Sequence, residues 1–183
     1  MSPRIPPIDP EHLDEAQQRV YDAIAGTRGK VAGPFATLLH SPELADRVQE
    51  LGAFVRYGTA LDPRLSELAI LVISRAWSCQ FEWYAHEPHA TAAGLPAAII
   101  SAVREGRRPE AMEPDEAAVH DYTSELIEKR GVSDATYDHA LRAFGVVGTV
   151  DLTVLVGYYA LLAMTLNAHQ IEPPDGSRPL PDL

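Results

Sequence analysis

The chain has 183 residues, of which 46% are hydrophobic and 22% are charged, a balance typical of one folded domain rather than of a disordered protein. Its 15 basic and 26 acidic residues give a net charge of −11, and no basic cluster is present that would neutralise a run of phosphates. We therefore predict neither nucleic-acid binding nor attachment to an anionic membrane. A single cysteine, Cys79, excludes an intramolecular disulfide and a multi-cysteine zinc site.

The first half of the chain carries helix-start signals, while alternating β-branched runs and hairpin turns are missing. The predicted fold class is therefore all-α. Asp9-Pro10 predicts a first helix that runs to about Ala25. The combination of a capping residue and a following proline occurs twice more, and it predicts helices over 42–57 and 63–77.

The second half continues the helical pattern. A helix over 80–93 should close at Gly94 and bend at Pro88, because a proline inside a helix removes an amide donor. Further helices are predicted over 96–105, 114–130, 133–144 and 147–169.

Two features bear on location and assembly. Leu152–Leu166 is an apolar stretch, but it is shorter than the roughly 20 residues of a bilayer span, so we interpret it as core or subunit interface. Residues 1–10 and 172–183 are proline-rich arms, and the first of them lacks the apolar core of a signal sequence, which favours the cytoplasm. Such arms are most simply frayed tails; the alternative is that they cross a neighbouring subunit.

The candidate catalytic side chains cluster after position 78. Glu82 or Trp83 follows Cys79 by three or four residues, and His86 follows it by seven, so these side chains share one helix face. His89 lies close to the same face.

Glu67 belongs to the preceding helix. It stands 12 positions before Cys79, which on a continuous helix would place the two side chains about 120° apart. A break near Ser78 would bring them together. The same break would put Cys79 at a helix N-terminus, where the helix dipole favours a thiolate.

The spacing of Glu67, Cys79, Glu82 and His86 resembles the carboxymuconolactone decarboxylase and alkylhydroperoxidase D superfamily. The peroxidases of that superfamily carry a glutamate, a Cys-x-x-Cys motif and a histidine at these positions. Here Glu82 stands in place of the second cysteine, and in this respect the sequence is similar to the decarboxylase-like branch of the superfamily. The resemblance covers most of residues 35–181, and it implies a helical bundle that assembles as trimers or hexamers with sites near subunit contacts.

The resemblance also implies an activity. Decarboxylation of a carboxylated unsaturated lactone, the family's named reaction, needs no cofactor or metal, only acid/base groups. We expect His86 to donate or accept the proton, Glu67 or Glu82 to orient it, and Cys79 to line the site. Three further residues are candidates for substrate binding: Arg75, Trp83 and His89. The plain alternative is that Glu82 and His86 form an ordinary helix-surface pair.

Two other functions stay open, together with a non-catalytic oligomer of the same fold. A thiol peroxidase with one cysteine would need an external thiol, because Cys79 has no resolving partner in the chain, and Glu82 would raise its thiol pKa. A metal site on Glu82, His86 and His89 has helical spacing, but Pro88 disturbs it. We predict an oligomeric enzyme acting without a cofactor on a small acidic or lactone-like substrate.

Overall fold

The computed structural model describes residues 3–182. Within that range the chain forms eight helices and no strand, so the predicted all-α class is confirmed. The helices are α1 (Glu15–Arg28), α2 (Pro34–Leu38), α3 (Pro42–Tyr57), α4 (Pro63–Ala76), α5 (Gln80–Ala92), α6 (Ala97–Arg104), α7 (Pro114–Lys129) and α8 (Asp134–His169).

Local capping chemistry sets the helix starts. The prolines of α3 and α4 occupy the first helical position, as predicted. The predicted start of α1 is wrong, because Asp14 and Gln17 form a capping box five residues beyond Asp9. The helix runs three residues beyond the predicted end at Ala25, to Arg28, and Gly29, whose φ is 77°, is its C-cap.

Helix α4 lies at the centre of the fold and packs against α5, α6, α7 and α8. Every residue from Leu65 to Arg75 is buried, including the polar side chains of Ser66, Glu67 and Ser74. Polar groups are seldom buried without a hydrogen-bonding or chemical reason, so α4 brings chemically active groups into the core.

The two predicted C-terminal helices join into α8 across Gly145, whose φ of 66° and ψ of −175° are not helical. By length and composition α8 is apolar enough to cross a bilayer, but 56% of its most apolar window is buried inside the protein, as in a core helix. One face of α8 is exposed nonetheless, so the helix is not buried on all sides. The exposed apolar residues form a stripe along this face: Val147, Val150, Val154, Leu161 and Met164.

Both proline-rich arms pack on their own chain in the described range, which corrects the interpretation of frayed tails. Arg4 donates from its backbone to the carbonyl of His169 (2.9 Å) and from its guanidinium to Ala168 (3.0 Å). At the other end Leu180 is buried, and its backbone exchanges two hydrogen bonds with the side-chain amide of Gln80 (2.9 and 3.0 Å). The C-terminal arm therefore lies beside the start of α5.

Candidate active site

The predicted break between α4 and α5 occurs at Ser78, which has a φ of 47°. Helix α4 ends at Ala76, and the amide of Cys79 donates to the carbonyl of Ser74 (2.8 Å), so the chain turns within three residues. Helix α5 then continues through Pro88 without interruption. This turn sets the first two turns of α5 against the side of α4 that carries Glu67.

Glu67 and His86 meet in the core. Nδ1 of His86 lies 2.7 Å from Oε2 of Glu67, and each residue is only 7% exposed. With a carboxylate as partner, Nδ1 carries the proton and Nε2 keeps a lone pair. Burial lowers the pKa of His86 and outweighs the opposing effect of Glu67, so the imidazole is neutral at pH 7. The pair is able to accept a proton.

Two tyrosines of α8 pack against this pair. The ring of Tyr159 meets the ring of His86 edge-on at 5.1 Å, and Tyr158 packs against Tyr159 at 5.4 Å in the same manner. Burial raises the pKa of Tyr158 to about 12 and raises that of Tyr159 as well, so both remain neutral phenols. The ring of His89 also lies near this pair, with its centre 6.0 Å from that of His86.

Glu82 lies one turn before His86 but does not bond to it among the described residues. Its side chain is 3% exposed, and its Oε2 has no hydrogen-bond partner in the described part of the chain. Burial raises the pKa of this carboxyl well above its ordinary value and outweighs the nearby hydroxyl of Ser74. The structure therefore favours Glu67, rather than Glu82, as the partner that orients His86, and burial favours the protonated form of Glu82.

The protonation of Glu82 predicts how stability depends on pH. The folded state keeps a proton that the unfolded state releases above pH about 4.3, so native stability falls as pH rises from there towards the raised pKa. Glu82→Gln removes this loss. We expect its stability relative to the native chain to improve by up to about 1.4 kcal/mol per pH unit across that window. Urea unfolding between pH 5 and 8 measures the difference.

The matched control for this experiment is Glu110→Gln, a substitution of an exposed glutamate. Its stability difference from the native chain should stay constant across the same pH range. A Glu82→Gln difference that is equally constant would mean that Glu82 is ionised in the fold.

Cys79 is the N-cap residue of α5, as the break at Ser78 predicts, but its environment does not favour a thiolate. The side chain is 1% exposed and packs with Ala163 and Leu166. Burial is the main cause that raises its pKa, ionisation of the neighbouring Glu82 would raise it further, and backbone amides of α5 oppose these effects only in part. The predicted influence of the helix dipole is therefore outweighed, and Cys79 is a buried thiol.

A cavity of about 240 Å³ lies beside Glu67. Its wall includes Glu67, His89, Tyr57 and Leu155, and it also includes Arg56 at the end of α3. Arg56 forms no salt bridge within residues 3–182. Arg56 is not predicted by the sequence pattern, because it stands 11 positions before Glu67 on another helix and no local motif marks it.

Other predicted residues lie elsewhere. Arg75 donates to the carbonyl of Pro181 (2.9 Å) and faces a different cavity from Glu67. Trp83 is fully buried in the core, where its indole donates to Glu87 (2.8 Å). In the described part of the chain, Glu82, His86 and His89 do not form a metal-binding group, and neither does any other set of three such side chains.

These features define a class: an all-helical protein in which a buried Glu–His pair stands beside a small cavity. Comparison with known proteins places the chain more narrowly. Residues 42–125 match the model of the Carboxymuconolactone decarboxylase family. The resemblance predicted from the spacing of Glu67, Cys79, Glu82 and His86 is thus confirmed.

Solved structures of similar fold include the debrominase Bmp8 in its apo form. Its TM-score is 0.73 at 13% identity, with 94% of this chain and 92% of that chain covered. A cysteine-to-alanine variant of Bmp8 in complex with 2,3,4-tribromopyrrole has a TM-score of 0.71 at 15% identity, with 94% of this chain and 91% of that chain covered. At these identities the likeness shows the fold alone. Curated proteins include no significant match.

Proposed function

We propose that this protein is a cofactor-free acid/base enzyme that removes carbon dioxide from a small, unsaturated, ring-shaped carboxylic acid. The match to the model of the Carboxymuconolactone decarboxylase family and a fold shared with a debrominase support an enzyme in general. The observation that carries the proposal is the buried 2.7 Å contact between Glu67 and His86 beside a cavity that also contains Arg56.

The proposed reaction assigns one task to each group. Arg56 holds the substrate carboxylate or the ring carbonyl. The bond to the carboxyl carbon breaks, its electrons pass into the conjugated carbonyl, and the resulting enolate takes a proton at a distant carbon. Glu67, which lines the cavity, and His86, which shares its hydrogen bond, form the unit that takes this proton from water and delivers it to the enolate carbon. Tyr159, whose phenol stays protonated, adds no negative charge beside the pair.

The size of the cavity supports a small substrate. A volume of about 240 Å³ suits one substituted ring and is below the usual range for drug-sized ligands. The debrominase variant of similar fold is in complex with a pyrrole carrying three bromines, also a small ring. The raised pKa of Cys79 gives no support to the alternative of a peroxidase with one cysteine.

The experiment that tests the proposal follows the fate of the proton. The protein is incubated in D₂O with a series of carboxylated unsaturated lactones and matched ring acids, and carbon dioxide and deuterium incorporation are measured by NMR. Release of carbon dioxide with one deuteron at the distant carbon is expected. Exchange of deuterium without loss of carbon dioxide would instead indicate an isomerase, and it would overturn the proposed reaction.

The protein is also proposed to self-associate, as the family resemblance implies. Helices α3 and α8 pack together, and each carries exposed apolar side chains, among them Phe54 on α3 and Val150 on α8. An exposed apolar surface of this kind is typical of an interface. Tyr57 of α3 and Leu155 of α8 line the small cavity, so the same surface borders the proposed site, and a second copy of the chain would help to cover it.

Val150→Glu tests this interface. The substitution places a charge in the middle of the apolar stripe of α8, and a charge is costly to bury without a partner. We expect the native chain to elute as an oligomer and this variant to elute largely as a monomer, as measured by light scattering during gel filtration. Ala98→Glu, on an exposed position of α6, is the control and should leave the mass unchanged. A monomeric native chain would contradict the proposal.

A further inference from the structure

A second and larger cavity of about 770 Å³ lies between the C-terminal end of α4, the end of α6 and helix α7. It shares no lining residue with the cavity beside Glu67. On α4 the large cavity is lined by Val72, Arg75 and Ala76, a different face of the helix from the one that carries Glu67. Its volume is in the usual range for sites that enclose a small organic ligand.

Arg75 is the unusual residue of this wall. Its side chain is 6% exposed, and its only hydrogen bond within the described residues runs from Nη1 to the carbonyl of Pro181. Its Nε is buried without a partner, and no carboxylate between residues 3 and 182 pairs with it. A buried guanidinium without a negative partner is costly, so the site is suited to receive an anion from outside the described chain.

The other basic residues of the wall already have partners. Arg108 donates twice to Asp121 (2.8 Å each), and Asp121 also accepts from Nδ1 of His120 (3.0 Å). Lys129 donates to Glu125 at 2.7 Å. Arg107 is paired with Glu105, which lies outside the cavity. The remaining acidic residue of the wall, Glu128, is exposed, so solvent screens its charge. The buried positive charge therefore belongs to Arg75.

The wall also has apolar members. Val72, Ala76, Val103 and Ile127 line the same cavity, and Val103 is almost fully buried. An inorganic anion would leave these surfaces in contact with water, whereas a carboxylate attached to an apolar group would cover them. The wall thus offers apolar surface as well as a buried guanidinium that lacks a carboxylate partner among the described residues.

We propose that this cavity is a second ligand site, distinct from the proposed active site, that binds a small organic carboxylate with an apolar body through Arg75. The carboxylate accepts hydrogen bonds from the guanidinium edge of Arg75, and the apolar body packs against Val72, Val103 and Ile127. Because Arg75 also holds the C-terminal arm at Pro181, a bound ligand lies against the segment that covers the start of α5.

The test uses phenylacetate as the acid, phenylacetamide as its neutral analogue and inorganic phosphate as an anion without an apolar body. Binding to the full chain is titrated by protein-observed NMR, which needs no turnover. We expect phenylacetate to bind more than about tenfold more tightly than either other probe. Arg75→Met should remove the preference for the acid over the amide, and Ser124→Phe should exclude both by filling the cavity from α7.

The matched control is Arg56→Met, which removes the free guanidinium of the other cavity. Phenylacetate binding that depends on Arg56 and not on Arg75 would place the ligand in the proposed active site and overturn this inference. Equal binding of acid and amide, equal binding of phosphate, or no binding at all would overturn it too. The binding titration does not require catalysis, so its result can be interpreted even if the protein shows no decarboxylation.

Discussion

Replacing His86 with glutamine is expected to lower kcat for the decarboxylated substrate by about 10²- to 10⁴-fold. The glutamine side chain is able to donate a hydrogen bond to Glu67, so the buried carboxylate keeps a partner, but it cannot hold a proton in transit. The loss should therefore be in kcat rather than in folding. Steady-state kinetics and a thermal unfolding curve for the same preparation measure both quantities.

Glu67→Gln should lower kcat by a similar factor, and the double variant should be little worse than either single one, because the two residues act as a unit. His12→Gln changes an exposed histidine and is the control for the substitution itself. Arg56→Met should act differently and mainly raise KM. An unchanged kcat in His86→Gln would remove this histidine from the mechanism.

The sequence predicted much of the fold because several of its signals are local. A proline in the first turn fixes the starts of α3 and α4, and Gly145, with its positive φ, separates two helical segments that the pattern had already divided. The start of α1 was misplaced for an equally local reason. Asp9 accepts from the amide of Glu11 in a short turn, while the capping box belongs to Asp14.

The candidate site was predictable only in part. The spacing of Glu67 and His86 implied that they converge once a break at Ser78 was assumed, and the structure contains that break. Nothing in the spacing indicated that Arg56 lies on the wall of the cavity, because its approach depends on how α3 packs against α4 and α8. The sequence pattern also did not indicate where the side chain of Arg75 points, because its hydrogen-bond partner is on the C-terminal arm, which folds back on its own chain.

Burial explains the remaining difference between prediction and structure. The helix dipole favours a thiolate at Cys79, but that effect amounts to about 0.3–1 kcal/mol, and desolvation of a thiolate in a closed core costs more. The same desolvation raises the pKa of Glu82 well above that of a carboxylate on a helix surface. A sequence shows which residues share a helix face; it does not show how much water that face retains.

Glu82→Cys should produce a disulfide with Cys79 under mild oxidation. The two positions are the N-cap and the first turn of α5, three residues apart on one face, which is the spacing of a Cys-x-x-Cys motif. Hydrogen peroxide would oxidise the two thiols to a disulfide and be reduced to water. Removal of the Glu82 carboxyl also removes one of the causes that raise the thiol pKa of Cys79.

Intact-mass analysis after alkylation under denaturing conditions measures this outcome. The oxidised variant should carry no alkyl group, and the same sample after reduction should carry two. Ala85→Cys is the matched control, because position 85 lies on another side of α5 and its thiol should stay free in the monomer. If Glu82→Cys keeps two free thiols while its fold is intact, then Cys79 and position 82 do not face each other. The core on which the proposed site rests would in that case be packed differently from the arrangement described.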